Sequence, residues 1–183
     1  IIDTGIDNNH PDLSDRVIDQ KDVSSKNMPQ SNQKLHGTYV AGILAGAKTG
    51  VAPNCEVISI QIHNHHPESQ IELCKALDYC LRVSPDVVNI SCGFPYYSDE
   101  MKDRCSRLSQ KSMVIASAGN TGTGAHFPAS YPCVVSVGAI DEDGHHPIFS
   151  NIWPTVNISA PGIKIVSTFP VDENGSARYC VDK

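Results

Sequence analysis

"VISIQIHNHHPESQIELCKALDYCLRVSPDVVNIS", residues 57–91, decides the fold. Its two apolar runs, Val57–Ile62 and Val87–Ser91, are nearly continuous rather than alternating, the pattern of strands covered on both faces. Between them, Ser69–Arg82 sets Ile71, Cys74, Leu77 and Leu81 on one helical stripe, with Ser69 as the N-cap. Strand, helix and buried strand in that order predict a parallel pair joined by a crossover helix. Outward from there, Asp99–Lys111 reads as a helix whose acidic start and basic end suit its dipole. Met113–Ala118, Val134–Ile140 and Val156–Ala160 read as further buried strands. The expected fold class is α/β, a three-layer sandwich with a mainly parallel sheet and helices on both faces. No repeat, low-complexity segment or linker divides the 183 residues, so one domain is expected.

The net charge of −6 and the lack of any Lys/Arg run argue against nucleic acid as a partner. No apolar stretch has the length of a membrane span. Seven cysteines (Cys55, Cys74, Cys80, Cys92, Cys105, Cys133, Cys180) include no C-x-x-C pair, which speaks against a zinc ribbon or a dense disulfide frame. Buried free thiols are the expectation.

In parallel sheets ligands collect at the carboxyl ends of strands, which directs attention to Asp3, His63–His66, Ser91–Gly93 and Gly119–Asn120. "IIDTGIDNNHPDL" (1–13) runs an apolar pair into Asp-Thr-Gly. Such a carboxylate can share a proton with a second aspartate, orient an imidazole, or simply end a strand. The first option requires a second Asp-Thr/Ser-Gly, and the chain has only Asp3-Thr4-Gly5. "LHGTYVAGILAG" (35–46) places small residues at Gly37, Ala41, Gly42, Ala45 and Gly46, which let a helix approach the sheet closely with His36 at its entrance. "VIASAGNTG" (114–122) empties a buried strand into a turn carrying Asn120. Alone, a histidine or a turn asparagine is ordinarily structural.

Together and in this order, these stretches resemble the subtilisin-like serine peptidases. "VVNISCGFP" (87–95), "FPASYPCVVSVGAID" (127–141) and "ISAPGIKIVSTFP" (158–170) are similar to later segments of that family. The resemblance implies a serine-type endopeptidase acting on polypeptides through an Asp-His-Ser triad. It makes His36 the general base, Asp3 its orienting carboxylate and Asn120 the oxyanion donor. Ser91, Cys92, Gly93, Ala118 and Gly119 would offer backbone to an extended substrate. His126 falls near the floor of the main specificity pocket, where an imidazole favours small or acidic residues, the latter more at low pH.

In the family a Gly-Thr-Ser turn follows the segment matched by Ala160–Pro170. Here "VDENGSARYCVDK" follows, and Ser176 lacks the preceding Gly-Thr, so it reads as a loop serine. Residues 1–183 are therefore expected to be a partial domain, with an incomplete first strand and without the serine-bearing helix, and inert alone. The rival reading is a non-catalytic relative acting as a binding or regulatory module.

Family members are commonly secreted and carry an inhibitory N-terminal pro-segment. Of the sequons at Asn89, Asn157 and Asn174, the first two fall in predicted buried strands and the third in an accessible loop. Secretion is favoured by the resemblance, while unpatterned thiols keep an intracellular location open. No cofactor is expected. Many members hold calcium in a loop after the histidine helix, but "AGAKTGVAPN" (45–54) runs almost directly into Val57. Asp12, which matches a calcium-ligating position in some members, lacks that loop. The three histidines of His63–Ser69 are open to metal, to acidic substrate side chains or to solvent. Tyr39 stands where a second histidine or a valine-like residue is common in the family.

Overall fold

The Val and Ile residues of 57–60 and 87–90 suit a pleated surface, and both segments are strands in a computed structural model that describes residues 1–24, 34–63 and 69–181. In chain order the elements are β1 (Ile2–Asp3), β2 (Val17–Asp22), α1 (Leu35–Ala45), β3 (Val57–Gln61), α2 (Ser69–Val83), β4 (Val87–Ile90), α3 (Asp99–Leu108), β5 (Met113–Ser117), β6 (Val135–Ile140), β7 (Ile158–Pro161), β8 (Val166–Phe169) and β9 (Arg178–Val181). The chain divides into two compact units, residues 1–72 with 164–183, and residues 73–163. Parallel strands alternating with helices make the class α/β, as expected from sequence.

In the first unit β2, β3 and β1 pair in that order, all parallel, with Asp3 opposite Gln61 at the strand ends. Ile6, Leu13, Ala41, Ala45 and Val57 form its core, and fully covering a large aliphatic side chain is worth about 1.5–3 kcal/mol. A hairpin absent from the sequence reading, β8–β9, is antiparallel and docks on α1. The Ser167 hydroxyl donates to the Tyr39 carbonyl at 2.6 Å, the Thr168 hydroxyl to the Thr38 carbonyl at 2.8 Å, and the Tyr39 hydroxyl to the Ile165 carbonyl. Close approach makes this possible, because a Cβ on Gly42 would lie 2.2 Å from Thr168 Oγ1 and 2.3 Å from Ser167 Oγ. The small-residue face of α1 thus serves β8 as well as the turn after β1.

The stripe expected on α2 holds at Cys74 and Leu77 but not at its ends, where Leu81 is half-buried. Ile71 is 59% exposed, and the covered residues are Leu73, Cys74, Ala76, Leu77 and Cys80. Glu72 is fully buried, and its engagement by His63 turns the covered face toward positions 72, 73 and 76.

In the second unit β4, β5, β6 and β7 pair in order, all parallel, with Ile90 opposite Ala116 and Ser117 opposite Val137. The last strand starts at Ile158, two residues later than expected from its apolar run. Helix α3 is capped by Ser98, whose hydroxyl accepts the Met101 N–H, and it carries Asp99 and Glu100 in its first turn. It ends at Leu108, three residues short of the expected Lys111, in a turn whose Lys111 and Ser112 N–H groups both donate to the Leu108 carbonyl.

All seven cysteines are free thiols, four of them buried. Burial, reinforced by neighbouring thiols, pushes Cys105 up to about 12, and burial pushes Cys80 up to about 11, so both are poor nucleophiles at neutral pH. Asn157 is exposed rather than in a buried strand, yet its side-chain oxygen accepts the Ser136 N–H. Asn89 is half-buried in β4 and Asn174 is exposed in the β8–β9 connection. No helix among the described residues is long and apolar enough to cross a membrane.

Gly42→Ala tests the α1–β8 contact. Helix propensity alone would gain about 1 kcal/mol, but the added methyl collides with two hydroxyl groups. A net loss of about 1–3 kcal/mol in urea unfolding is expected.

Candidate active site

The turn after β1 is shaped to receive the N-terminus of α1. Thr4 is the key residue: its carbonyl accepts the Lys34 N–H and its hydroxyl the Gly37 N–H, both at 3.1 Å. Lys34 sits at the cap position with φ 72° and provides no side-chain cap, so Thr4 meets these helix-start donors from outside the helix. Thr38 returns the contact, its hydroxyl accepting the Asp7 N–H at 2.8 Å. Gly37 lies directly on the turn, where a Cβ would come 2.1 Å from the Gly5 carbonyl oxygen.

This docking sets His36, the second residue of α1, beside Asp3, the last residue of β1. His36 Nδ1 is 2.8 Å from Asp3 Oδ1 and 2.9 Å from Oδ2, and Oδ1 also accepts the Thr4 N–H at 2.6 Å. A carboxylate only accepts, so the imidazole proton is on Nδ1 and the basic nitrogen is Nε2. The Asp3 side chain is 2% exposed and the imidazole 51%. A buried acceptor thus orients a ring that solvent can reach.

In the second unit, the parallel register of β4 and β5 brings two strand ends side by side. Ser91, Cys92 and Gly93 follow β4; Ala118, Gly119 and Asn120 follow β5. Cys92 and Ala118 are buried, whereas Gly93 and Asn120 are exposed. Asn89 Nδ2 donates to Ser91 Oγ at 2.8 Å. His126 lies against both ends: a Cβ on Gly119 would be 2.6 Å from its Nδ1, and one on Gly93 would be 3.5 Å from its Cβ. Reciprocal 2.8 Å backbone bonds between Phe94 and Phe127 fix this approach. Burial lowers the His126 pKa below its ordinary 6.5.

Asn151 was not singled out from sequence, and it organises the turn that presents Asn120. It is buried, and its N–H donates to the Gly119 carbonyl at 3.0 Å. Its Oδ1 accepts the Thr121 N–H at 2.8 Å and the Thr121 hydroxyl at 3.0 Å, while Nδ2 donates to the Gly124 carbonyl. Gly119 needs its φ of +112°, which few residues with a side chain adopt. A polar residue between Phe149 and Ile152 was the available signal.

His63 departs from the solvated alternative. Its side chain is 5% exposed, its Nδ1–H donates to Glu72 Oε1 at 2.8 Å, and its backbone N–H donates to Oε2 at 2.6 Å. The rest of that histidine loop, residues 64–68, lies outside the described residues. Ser176 sits in the β8–β9 connection, its N–H donating to Asp172 Oδ1. Among the described residues, Asp141, Asp143 and His145 are close enough to share an ion, but Asp141 Oδ1 already accepts the Asp143 and His145 N–H groups.

With this geometry, residues 1–182 match the model of the subtilase family, and the chain belongs to that family. A thermophilic serine proteinase of Bacillus sp. strain AK1 is 33% identical over 92% of this chain and 44% of its own length. An intracellular serine protease of Paenibacillus polymyxa is 31% identical over 93% of this chain and 57% of its own. The psychrophilic subtilisin-like protease Apa1 of the Antarctic Pseudoalteromonas sp. AS-11 superposes with a TM-score of 0.81 at 32% identity, over 93% of this chain and 42% of that one. The chain spans about half the length of the curated relatives it matches.

Asn151→Ala would leave the Thr121 N–H without its acceptor. Stability is expected to fall by about 1–3 kcal/mol by chemical denaturation. Asn151→Asp, which retains the acceptor oxygen, is expected to recover part of that loss.

Proposed function

We propose that the full-length protein is a serine endopeptidase in which Asp3 and His36 form two members of the triad. The observation that carries the reading is the paired contact of His36 Nδ1 with both oxygens of buried Asp3. Held in that tautomer, Nε2 takes the proton of a serine hydroxyl as it attacks the substrate carbonyl, then returns it to the leaving amine. Asp3 steadies the imidazolium formed between the two steps. The attacking serine is contributed by a Gly-Thr-Ser turn outside residues 1–183, so this segment alone is inert. Asn120, exposed on the turn that Asn151 braces, donates its amide N–H to the oxyanion, a bond worth about 3–4 kcal/mol of barrier. An extended polypeptide adds alongside Ser91–Gly93 and Ala118–Gly119 through backbone hydrogen bonds, and a pro-segment occupying the same edge would inhibit.

Fluorophosphonate labelling and peptide hydrolysis by the full-length protein test this reading. Asp3→Asn is expected to lower kcat about 10⁴-fold and His36→Ala to abolish labelling. A folded, processed protein that neither labels nor cleaves would be a binding module instead.

His126 narrows the specificity pocket, so small and acidic side chains are preferred on the acyl side of the scissile bond. Burial lowers its pKa, so the ring takes up its proton at lower pH than an ordinary histidine and gains charge as the pH falls. Cleavage after Asp or Glu, relative to Ala, is therefore expected to rise from pH 8 to pH 5, and His126→Gly to flatten that rise. A peptide library showing a large aromatic preference at both pH values would contradict this assignment.

A further inference from the structure

The carboxylate of Asp12 is buried and engaged by two of this chain's own side chains. Oδ2 accepts the Tyr179 hydroxyl at 3.0 Å, and Lys48 Nζ lies 3.5 Å from Oδ1. Lys48 Nζ also donates to the Tyr179 hydroxyl at 3.0 Å, which closes a three-membered set. Behind it, the Asp12 N–H donates to His10 Nδ1, which places that ring's proton on Nε2, where it donates to the Arg178 carbonyl at 3.0 Å. His10 is fully buried and meets Tyr179 edge to face at 5.3 Å. The set therefore fastens β9 to the segment that follows β1.

Calcium, which the family resemblance implies at the position of Asp12, requires six to eight oxygen ligands at 2.3–2.6 Å. The donor set does not fit it. The connection from α1 to β3 folds back on the helix end and consumes the carbonyls there: Gly42 accepts Gly46 N–H, Ile43 accepts Val51 N–H, Leu44 accepts Ala52 N–H and Gly46 accepts Gly50 N–H. The Thr49 hydroxyl donates to the Gly42 carbonyl as well. Among the described residues, Asp12 belongs to no group of three or more His, Cys or carboxylate atoms close enough to share an ion.

We propose that Lys48 is a tethered cation standing in for a metal at Asp12, so that the β9 anchor of this subtilase does not depend on calcium. The short connection after α1 carries the ammonium on its own chain, and the Tyr179 hydroxyl relays between ammonium and carboxylate. The Tyr179 hydrogen bond, then the charge of Asp12, raises the Lys48 pKa, which keeps it cationic across the range in which peptidases work.

The test uses the full-length protein with His36→Ala, to prevent self-digestion, and reads thermal midpoints in EDTA and in millimolar calcium. The calcium increment is expected to be the same, within about 1 °C, in the parent and in D12N, because any increment belongs to another site. An increment of several degrees that D12N removes would overturn the proposal. Lys48→Met and Asp12→Asn are each expected to lower the midpoint by about 2–4 °C, with no further loss when combined. Additive losses would show that Lys48 and Asp12 act independently and would also overturn it. Lys48→Arg, which keeps the charge, is expected to retain most of the midpoint.

Discussion

The first unit depends on one contact, the α-carbon of Gly37 against the carbonyl of Gly5. No side chain of any size fits between them, and that exclusion sets the distance at which α1 meets the end of β1. Within that distance Thr4 reaches the helix N–H groups, Thr38 reaches back to Asp7, and His36 Nδ1 reaches both oxygens of Asp3. A pair joined by one N–H shared between two oxygens, both closer than 3 Å, tolerates little slack, and here steric contact between two backbones supplies the fixity. Residues as plain as threonine and glycine thus do as much for the geometry as the ionisable pair does.

The two units solve the same problem by different means. In the first, a helix start is pressed against a strand end. In the second, two neighbouring strand ends are presented by parallel register, and a buried amide from a later segment, Asn151, holds the turn of one of them. Backbone donors and acceptors are met by side chains that approach from far along the sequence, which permits turns that local sequence would not stabilise alone.

Much of this was legible in the sequence, for identifiable reasons. Continuous apolar runs marked the strands, although β4 and β5 alternate in burial and β7 is mostly exposed, and small residues after His36 marked a close approach. β2 stayed hidden because "VIDQKD" lies at an edge with five of six residues exposed, so it carries almost no hydrophobic signal. β8 stayed hidden because its burial comes from docking on α1, and β9 because three of its four residues are exposed. The stripe on α2 was right at Cys74 and Leu77 and missed at Ile71, because Glu72, an acidic residue, is buried beside it; its partner His63 lies across a loop that pattern reading leaves open. Asp3, His36 and Asn120 were legible only as members of an ordered set of motifs, and Asn151 was not, since its role consists of hydrogen bonds to residues about thirty positions away.

The hairpin on α1 also sets an order of events during synthesis. The first unit is discontinuous: Thr168 and Ser167, which fill the groove beside Gly42, are translated after the whole second unit. At about 5–20 residues per second, α1 waits several seconds on the ribosome with that groove open to water. Closing it requires a long chain loop, which is slow compared with helix formation or hairpin closure. The second unit, being continuous, has no such wait. Nascent chains of this protein therefore pass through a stage in which residues 73–163 are complete while the bed of the hairpin still lacks Ser167 and Thr168.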